Sequence, residues 1–119
     1  MTLTKILSLL KVDDNASTAQ NQLYRHLTSF GYTCELEVFV PDRGDKTPGR
    51  IDLIAKKKNE VVAIEFDRHE PRTKSLFKLK HFDAAIKLVL LRGGNKNYIK
   101  DGIRVMSIKL YEYDSDVKN

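Results

Sequence analysis

Three carboxylates stand in two neighbouring stretches of chain: Asp52 within Gly49-Arg50-Ile51-Asp52-Leu53-Ile54, and Glu65 and Asp67 within Val62-Ala63-Ile64-Glu65-Phe66-Asp67. In extended backbone alternate side chains share a face, so Glu65 and Asp67 point the same way, while Asp52 is opposite in phase to Ile51 and Leu53. If the two stretches pair with Asp52 on the face of Glu65, the three carboxylates gather near the open end of a hairpin. At close range they repel unless a cation neutralises them, and oxygen-only ligands select hard ions such as Mg²⁺ or Mn²⁺. Their surroundings are cationic: Arg43 to Lys80 holds eleven Lys and Arg against six Asp and Glu, which accounts for the whole net charge of +5. Carboxylates for a metal, rimmed by cations for phosphates, are what phosphodiester hydrolysis requires, since the metal polarises the phosphate and acidifies the attacking water.

Each candidate also has a plainer role. Asp52 could be a solvent-facing strand residue paired with Arg50 or a lysine. Asp67 ends its stretch, where aspartate commonly begins a turn, so a third metal ligand and a turn former both fit. Glu65 follows an apolar run, and a buried carboxylate without a partner is costly, which favours a site. Arg68, Arg72 and Lys74 lie beside the carboxylates and suit a nucleic-acid backbone. Arg50 is placed in the same group. Lys56, Lys57 and Lys58 occupy a hairpin tip, where they either keep the turn soluble or meet phosphates. Glu35, Glu37, Gln20 and Gln22 are further candidates to approach the site. His69 and His81, with one cysteine in the chain, give a weak zinc pattern. Tyr98, Tyr111 and Tyr113 fit packing better than base stacking. No phosphate-loop, nucleophile-elbow, dinucleotide or zinc-protease motif is present, so no nucleotide cofactor is expected.

The elements that must hold these residues follow from periodicity. Leu23, Leu27 and Phe30 at helical spacing predict a helix from Ser17 to Phe30, capped by Ser17 or Thr18 and stopped by Gly31, with a shorter helix over Leu3 to Leu10 before it. Thr33 to Val40 alternates as a strand, and Pro41 to Gly49 reads as a loop. Arg50 to Lys56 and Glu60 to Asp67 predict an antiparallel hairpin turned at Lys57, Lys58 and Asn59. After Pro71 a helix is expected from Thr73 to Ala85, with Lys74, Lys78 and His81 together on one side. Ile86 to Leu91 reads as a strand buried on both faces, Gly93-Gly94 ends it, and Arg104 to Tyr113 predicts a last strand. Strands mixed with crossover helices imply an α/β sandwich on a mixed sheet.

These residues in this order resemble the core of the PD-(D/E)xK nuclease superfamily, over about Ser17 to Leu91. The resemblance implies a restriction-endonuclease-like fold, a mixed central sheet with αβββαβ order flanked by helices. It implies a metal-dependent deoxyribonuclease in which Asp52 and Glu65 bind Mg²⁺ or Mn²⁺ and act in catalysis. The lysine that the superfamily carries two residues after the glutamate is replaced by Asp67, and members are known to supply it from a neighbouring element. Lys74 and Lys78 on the following helix are both candidates for it. Small members, including junction resolvases, often act as homodimers on DNA, so a homodimer and a branched or junction substrate are implied.

Composition sets the outer limits. At 119 residues, with 41% apolar and 31% charged residues, the chain suits one soluble domain, read as residues 1 to 113 with a polar tail from Asp114 to Asn119. Cys34 alone excludes an intramolecular disulfide. No apolar run reaches the roughly 20 residues that span a bilayer, and the opening segment lacks a signal-peptide pattern, so no membrane partner and a cytoplasmic location are expected. A catalytically inactive nucleic-acid-binding module on the same fold, or a domain whose basic patch meets an acidic protein, would use the same charge.

Overall fold

A computed structural model of the chain describes residues 1–111. The elements in chain order are α1 (Leu3–Ser8), β1 (Lys11–Val12), α2 (Ala16–Ser29), β2 (Thr33–Val40), β3 (Gly49–Lys57), β4 (Glu60–Asp67), α3 (Thr73–His81), β5 (Ile86–Leu91), β6 (Asn97–Lys100), β7 (Ile103–Ser107) and β8 (Lys109–Leu110). Six strands form one mixed sheet in the order β2-β3-β4-β5-β7-β6, and β1 pairs with β8 in a separate two-stranded sheet. Strands β2, β3 and β4 run as an antiparallel meander; β4, β5 and β7 are parallel; β6 returns antiparallel to β7. The fold is α/β, with helices on both faces of the sheet.

Two apolar layers hold this arrangement. Leu23 and Leu27 of α2 with Ile6 and Leu7 of α1 bury against Leu53, Val62, Ile64, Leu88 and Leu90 on one face. On the other, Leu79 of α3 buries against Ile51, Ala63, Val89, Leu91 and Val105. Strand β5 feeds both layers because its alternate residues face opposite helices, which is why its sequence is almost continuously apolar. Cys34 is buried in the first layer as a small apolar residue.

Several boundaries differ from expectation for identifiable reasons. Asn15, not Ser17 or Thr18, caps α2, its side chain accepting from the Thr18 N–H at 3.0 Å. Gly31 follows at φ +94°, a backbone state glycine takes without a Cβ penalty. Helix α3 stops at His81 instead of Ala85, because Phe82 turns extended at ψ 137° and packs with Ala84 into the second apolar layer. The expected last strand is broken at Ile108, whose N–H goes to Leu91 O while the flanking pieces join different sheets. Strand β6 has no inward apolar face, so alternation did not reveal it, although Asp101-Gly102, with φ of 52° and 77°, is a strong turn signal for its hairpin with β7. Tyr113 and the tail from Asp114 lie outside the described residues. Among the described residues no helix is long and apolar enough to cross a membrane.

The regular pleat of the sheet is interrupted between β2 and β3. Leu36 packs on the α2 side but Val38 and Val40 on the α3 side, and likewise Leu53 and Ile51 on the paired strand face opposite layers. Alternation therefore reverses at Glu37 and Asp52, which face one another across β2 and β3. Glu37 sits at φ 54°, a left-handed conformation that costs a non-glycine residue on the order of 1 kcal/mol. Because α2 is held in place at its start by the Asn15 cap, Asn15→Ala should lower unfolding free energy by about 1 kcal/mol in urea titrations, without changing the folded spectrum.

Candidate functional site

The backbone ladder between β3 and β4 runs from the turn to Leu53 and Ile64 and ends there. Beyond it, side chains take over the bonding. The Asp52 N–H donates to Glu65 Oε2 at 2.8 Å, and the Phe66 N–H donates to Asp52 Oδ2 at 2.7 Å. Each carboxylate is thus fixed by a backbone N–H of the facing strand. Across from them, Gln20 of α2 donates through Nε2 to Asp52 O at 3.0 Å and to Glu37 Oε1 at 3.2 Å, which ties the helix to the point where alternation reverses.

Lys78 closes the site from the other face. Its Nζ forms an ion pair with Glu65 Oε1 and donates to Arg50 O at 2.9 Å. Glu65 is fully buried, and the ammonium is the only partner of Oε1 among the described residues. Lys78 reaches this position because it stands one turn beyond Lys74 on α3, four residues along the same face; Lys74 itself stays exposed. Of the two candidate lysines, the fold brings Lys78 to the carboxylates.

Asp67 has a different setting. Its buried carboxylate accepts from the Arg72 N–H at 2.9 Å through Oδ2, and from Arg72 Nε at 2.7 Å and Ser75 Oγ at 3.1 Å through Oδ1. Both oxygens anchor the start of α3, the turn-forming role that its place at the strand exit allowed. Arg72 is held by the same contacts. Arg68 reaches Asp14 in an exposed pair at 3.2 Å. Arg50 is exposed beside the Lys78 contact. Lys56, Lys57 and Lys58 lie at the far end of the hairpin, with Lys57 donating to Phe30 O at 2.9 Å and standing 5.2 Å from the Tyr32 ring centroid. About five strand residues separate them from Asp52, roughly 17 Å.

Of the remaining candidates, Gln22 accepts from the Asp13 N–H instead of meeting the carboxylates, and Glu35 is exposed on β2. His81 contacts Phe77 O in its own helix, and His69 stands by Gly93. Tyr98 lies on the edge strand β6. Two residues of this region were not read from the sequence. Ser75 looks like any helix residue until Asp67 is seen to need a donor. Arg92 follows the buried strand β5 directly, and its side chain is 8% exposed. The available signal was a cation wedged between an apolar strand and Gly93-Gly94.

The electrostatics of the pair are set by burial. Glu65, ordinarily ionising near 4.5, is pushed up to about 7 first by burial and then by the Asp52 charge, with Lys78 and the Asp52 N–H opposing. Asp52 is also raised, first by burial, against the pull of the Phe66 N–H and Lys78. Burial therefore works against ionisation of both carboxylates, and Lys78 is the cation that opposes it. Among the described residues no group of three or more His, Cys, Asp or Glu side chains is arranged to hold a metal ion. Two carboxylates suffice for Mg²⁺, which usually keeps several waters and takes one or two protein carboxylates.

No family model matches the chain, and no curated protein matches it. Among solved structures, the crystal structure of a protein of unknown function, AF1548, is similar at 15% identity and a TM-score of 0.48, over 76% of this chain and 54% of that one. The chain thus spans about half the length of that protein.

A pH dependence follows from the pair. Between about 4.5 and 7 the folded protein keeps a proton on Glu65 that the unfolded chain has shed, so this contribution stabilises the fold at the acid end and is lost as pH rises through about 7. In metal-free buffer the urea midpoint should fall from pH 5 to pH 8, and Glu65→Gln should flatten that fall. An unchanged slope in the variant would assign it to other groups.

Proposed function

We propose that this chain is a metal-dependent nuclease that hydrolyses DNA phosphodiester bonds, with a restriction-endonuclease-like core. The observation that carries the reading is the meeting of Asp52, Glu65 and Lys78: two raised-pKa carboxylates on adjacent strands, with a lysine amine supplied by the next helix. The run α2, β2, β3, β4, α3, β5 supports it, because it repeats the order that the superfamily resemblance requires. Lys78 then serves in place of the lysine that Asp67 displaces.

In this reading Asp52 and Glu65 hold Mg²⁺ or Mn²⁺. The ion, when bound, supplies charge to the scissile phosphate and lowers the pKa of a water. Lys78, held between Glu65 and Arg50 O, orients the attacking water and offsets negative charge that grows on the phosphate. Asp67 acts indirectly, by fixing the start of α3 and with it the direction of Lys78. Arg50, Arg68, Arg72 and Lys74 would grip the strand near the site, and Lys56, Lys57 and Lys58 would meet it farther off. The protein is proposed to act as a homodimer on branched or junction DNA, following the resemblance. The second reading, an inactive nucleic-acid-binding module, draws on the absence, among the described residues, of a third carboxylate arranged with these two for a metal, since Asp67 is engaged by Arg72 and Ser75.

The test is cleavage of linear, flapped, single-stranded and four-way-junction DNA in Mg²⁺ or Mn²⁺. Cleavage of at least one substrate is expected, with Asp52→Asn, Glu65→Gln and Lys78→Met each lowering kcat by about a hundredfold or more. Lys74→Ala should leave kcat within about twofold, since Lys74 stands exposed on α3 while Lys78 meets Glu65, and should act on binding instead. Cleavage that survives Asp52→Asn and Glu65→Gln would remove the site assignment. Salt-sensitive DNA binding without turnover would favour the inactive module.

A further inference from the structure

Beside the carboxylates lies a cavity of about 340 Å³, lined by Ala16 and Gln20 of α2, Asp52, Asp67, Arg68, Arg72 and Arg92 among others. It opens at the carboxyl ends of β4 and β5, the place where parallel strands commonly present a ligand crevice. Arg92 is 8% exposed, and its Nε and Nη1 are buried with no hydrogen-bond partner among the described residues. Its backbone is fixed, the N–H donating to Asp67 O at 3.0 Å, so the side chain cannot simply swing to solvent with its strand. Buried guanidinium nitrogens without acceptors are expensive, and structures rarely keep them unless something accepts from them. Of the carboxylates that line the cavity, Asp67 is taken up by Arg72 and Ser75, and Asp52 accepts through Oδ2 from the Phe66 N–H; neither is bonded to Arg92.

We infer that Arg92 is the anchor of an anion site in this cavity, and that its ligand is a phosphate group. Three features select phosphate. Arg92 carries a fixed positive charge and unpaired N–H donors, which suit the oxygens of a phosphate. Arg68 and Arg72 stand at the same walls, and although Asp14 and Asp67 pair with them, each guanidinium keeps further N–H donors. Ala16, the first residue of the fourteen-residue helix α2, brings the positive end of that helix to the wall. The nuclease reading adds only the source of the phosphate: a nucleotide of the strand whose neighbouring diester lies at Asp52 and Glu65. The anion site itself does not depend on turnover.

Two measurements test this. In the first, the Nε–H signals of the wild-type protein, labelled with ¹⁵N at arginine, are followed as inorganic phosphate is added in metal-free buffer. Arg92 should shift saturably at concentrations that leave the exposed Arg25 unmoved. An Arg92 signal that stays still, or drifts linearly with Arg25, overturns the inference. In the second, Arg92→Gln and Arg92→Lys are compared with wild type in binding oligonucleotides bearing a 5′-phosphate or a 5′-hydroxyl. Binding should weaken about tenfold in Arg92→Gln, with the slope of log affinity against log salt smaller by about one. A loss confined to phosphorylated ends assigns the cavity to a strand terminus, and an equal loss with both assigns it to an internal diester. Equal binding by wild type and a folded Arg92→Gln overturns the inference. If that variant does not fold, the wild-type titration decides. Failure to cleave any DNA, with the phosphate shift at Arg92 intact, would reject the nuclease reading and leave the anion site standing.

Discussion

The site depends on one exchange of partners: where β3 parts from β4, the backbone N–H groups of Asp52 and Phe66 lose the ladder and are taken by carboxylates. Each carboxylate oxygen so used satisfies a donor that would otherwise be buried unpaired, at a cost of about 1–3 kcal/mol. The same bonds hold Asp52 and Glu65 against each other, although their charges repel and burial disfavours both. Stability near neutral pH is thereby given up locally for a geometry that an opposite charge would complete. Lys78 supplies part of that charge.

The rest of the fold maintains this arrangement. The reversal of alternation at Glu37 and Asp52 lets the strands leave the ladder without exposing Ile51 or Leu53, since each finds a different apolar layer. Gln20 secures the reversal from α2, and the Asp67 contacts with Arg72 and Ser75 secure α3 from the opposite side. Helix α3 then delivers Lys78 to Glu65. The basic surplus of the central stretch is partly spent in this framework: Arg43 pairs with Asp45, Arg68 with Asp14 and Arg72 with Asp67. Arg92, outside that stretch, adds a cation buried to 8% exposure.

Much of this was legible in the sequence, and the limits have physical causes. Apolar periodicity located α2, β2, the hairpin of β3 and β4, and β5, because each buries one or both faces. Period-two spacing put Glu65 and Asp67 on one face, but it treated their environments alike. Only the turn after β4 separates them, giving Glu65 to Lys78 and Asp67 to the start of α3. The choice between Lys74 and Lys78 also required the tilt of the helix, which one-dimensional spacing does not carry. Strand β6 escaped because an exposed edge has no burial pattern. Arg92 escaped because burial of a cation is decided by what packs around it, here the ends of two parallel strands and the first turn of α2.

Whether Asp52 and Glu65 take a cation beside Lys78 is tested by crystals grown without metal and soaked in Mn²⁺, through the anomalous signal of the ion. A peak is expected within about 2.2 Å of a carboxylate oxygen of both Asp52 and Glu65, absent in Asp52→Asn crystals. A fully soaked crystal with no peak at this pair, or with manganese bound only elsewhere, would contradict it.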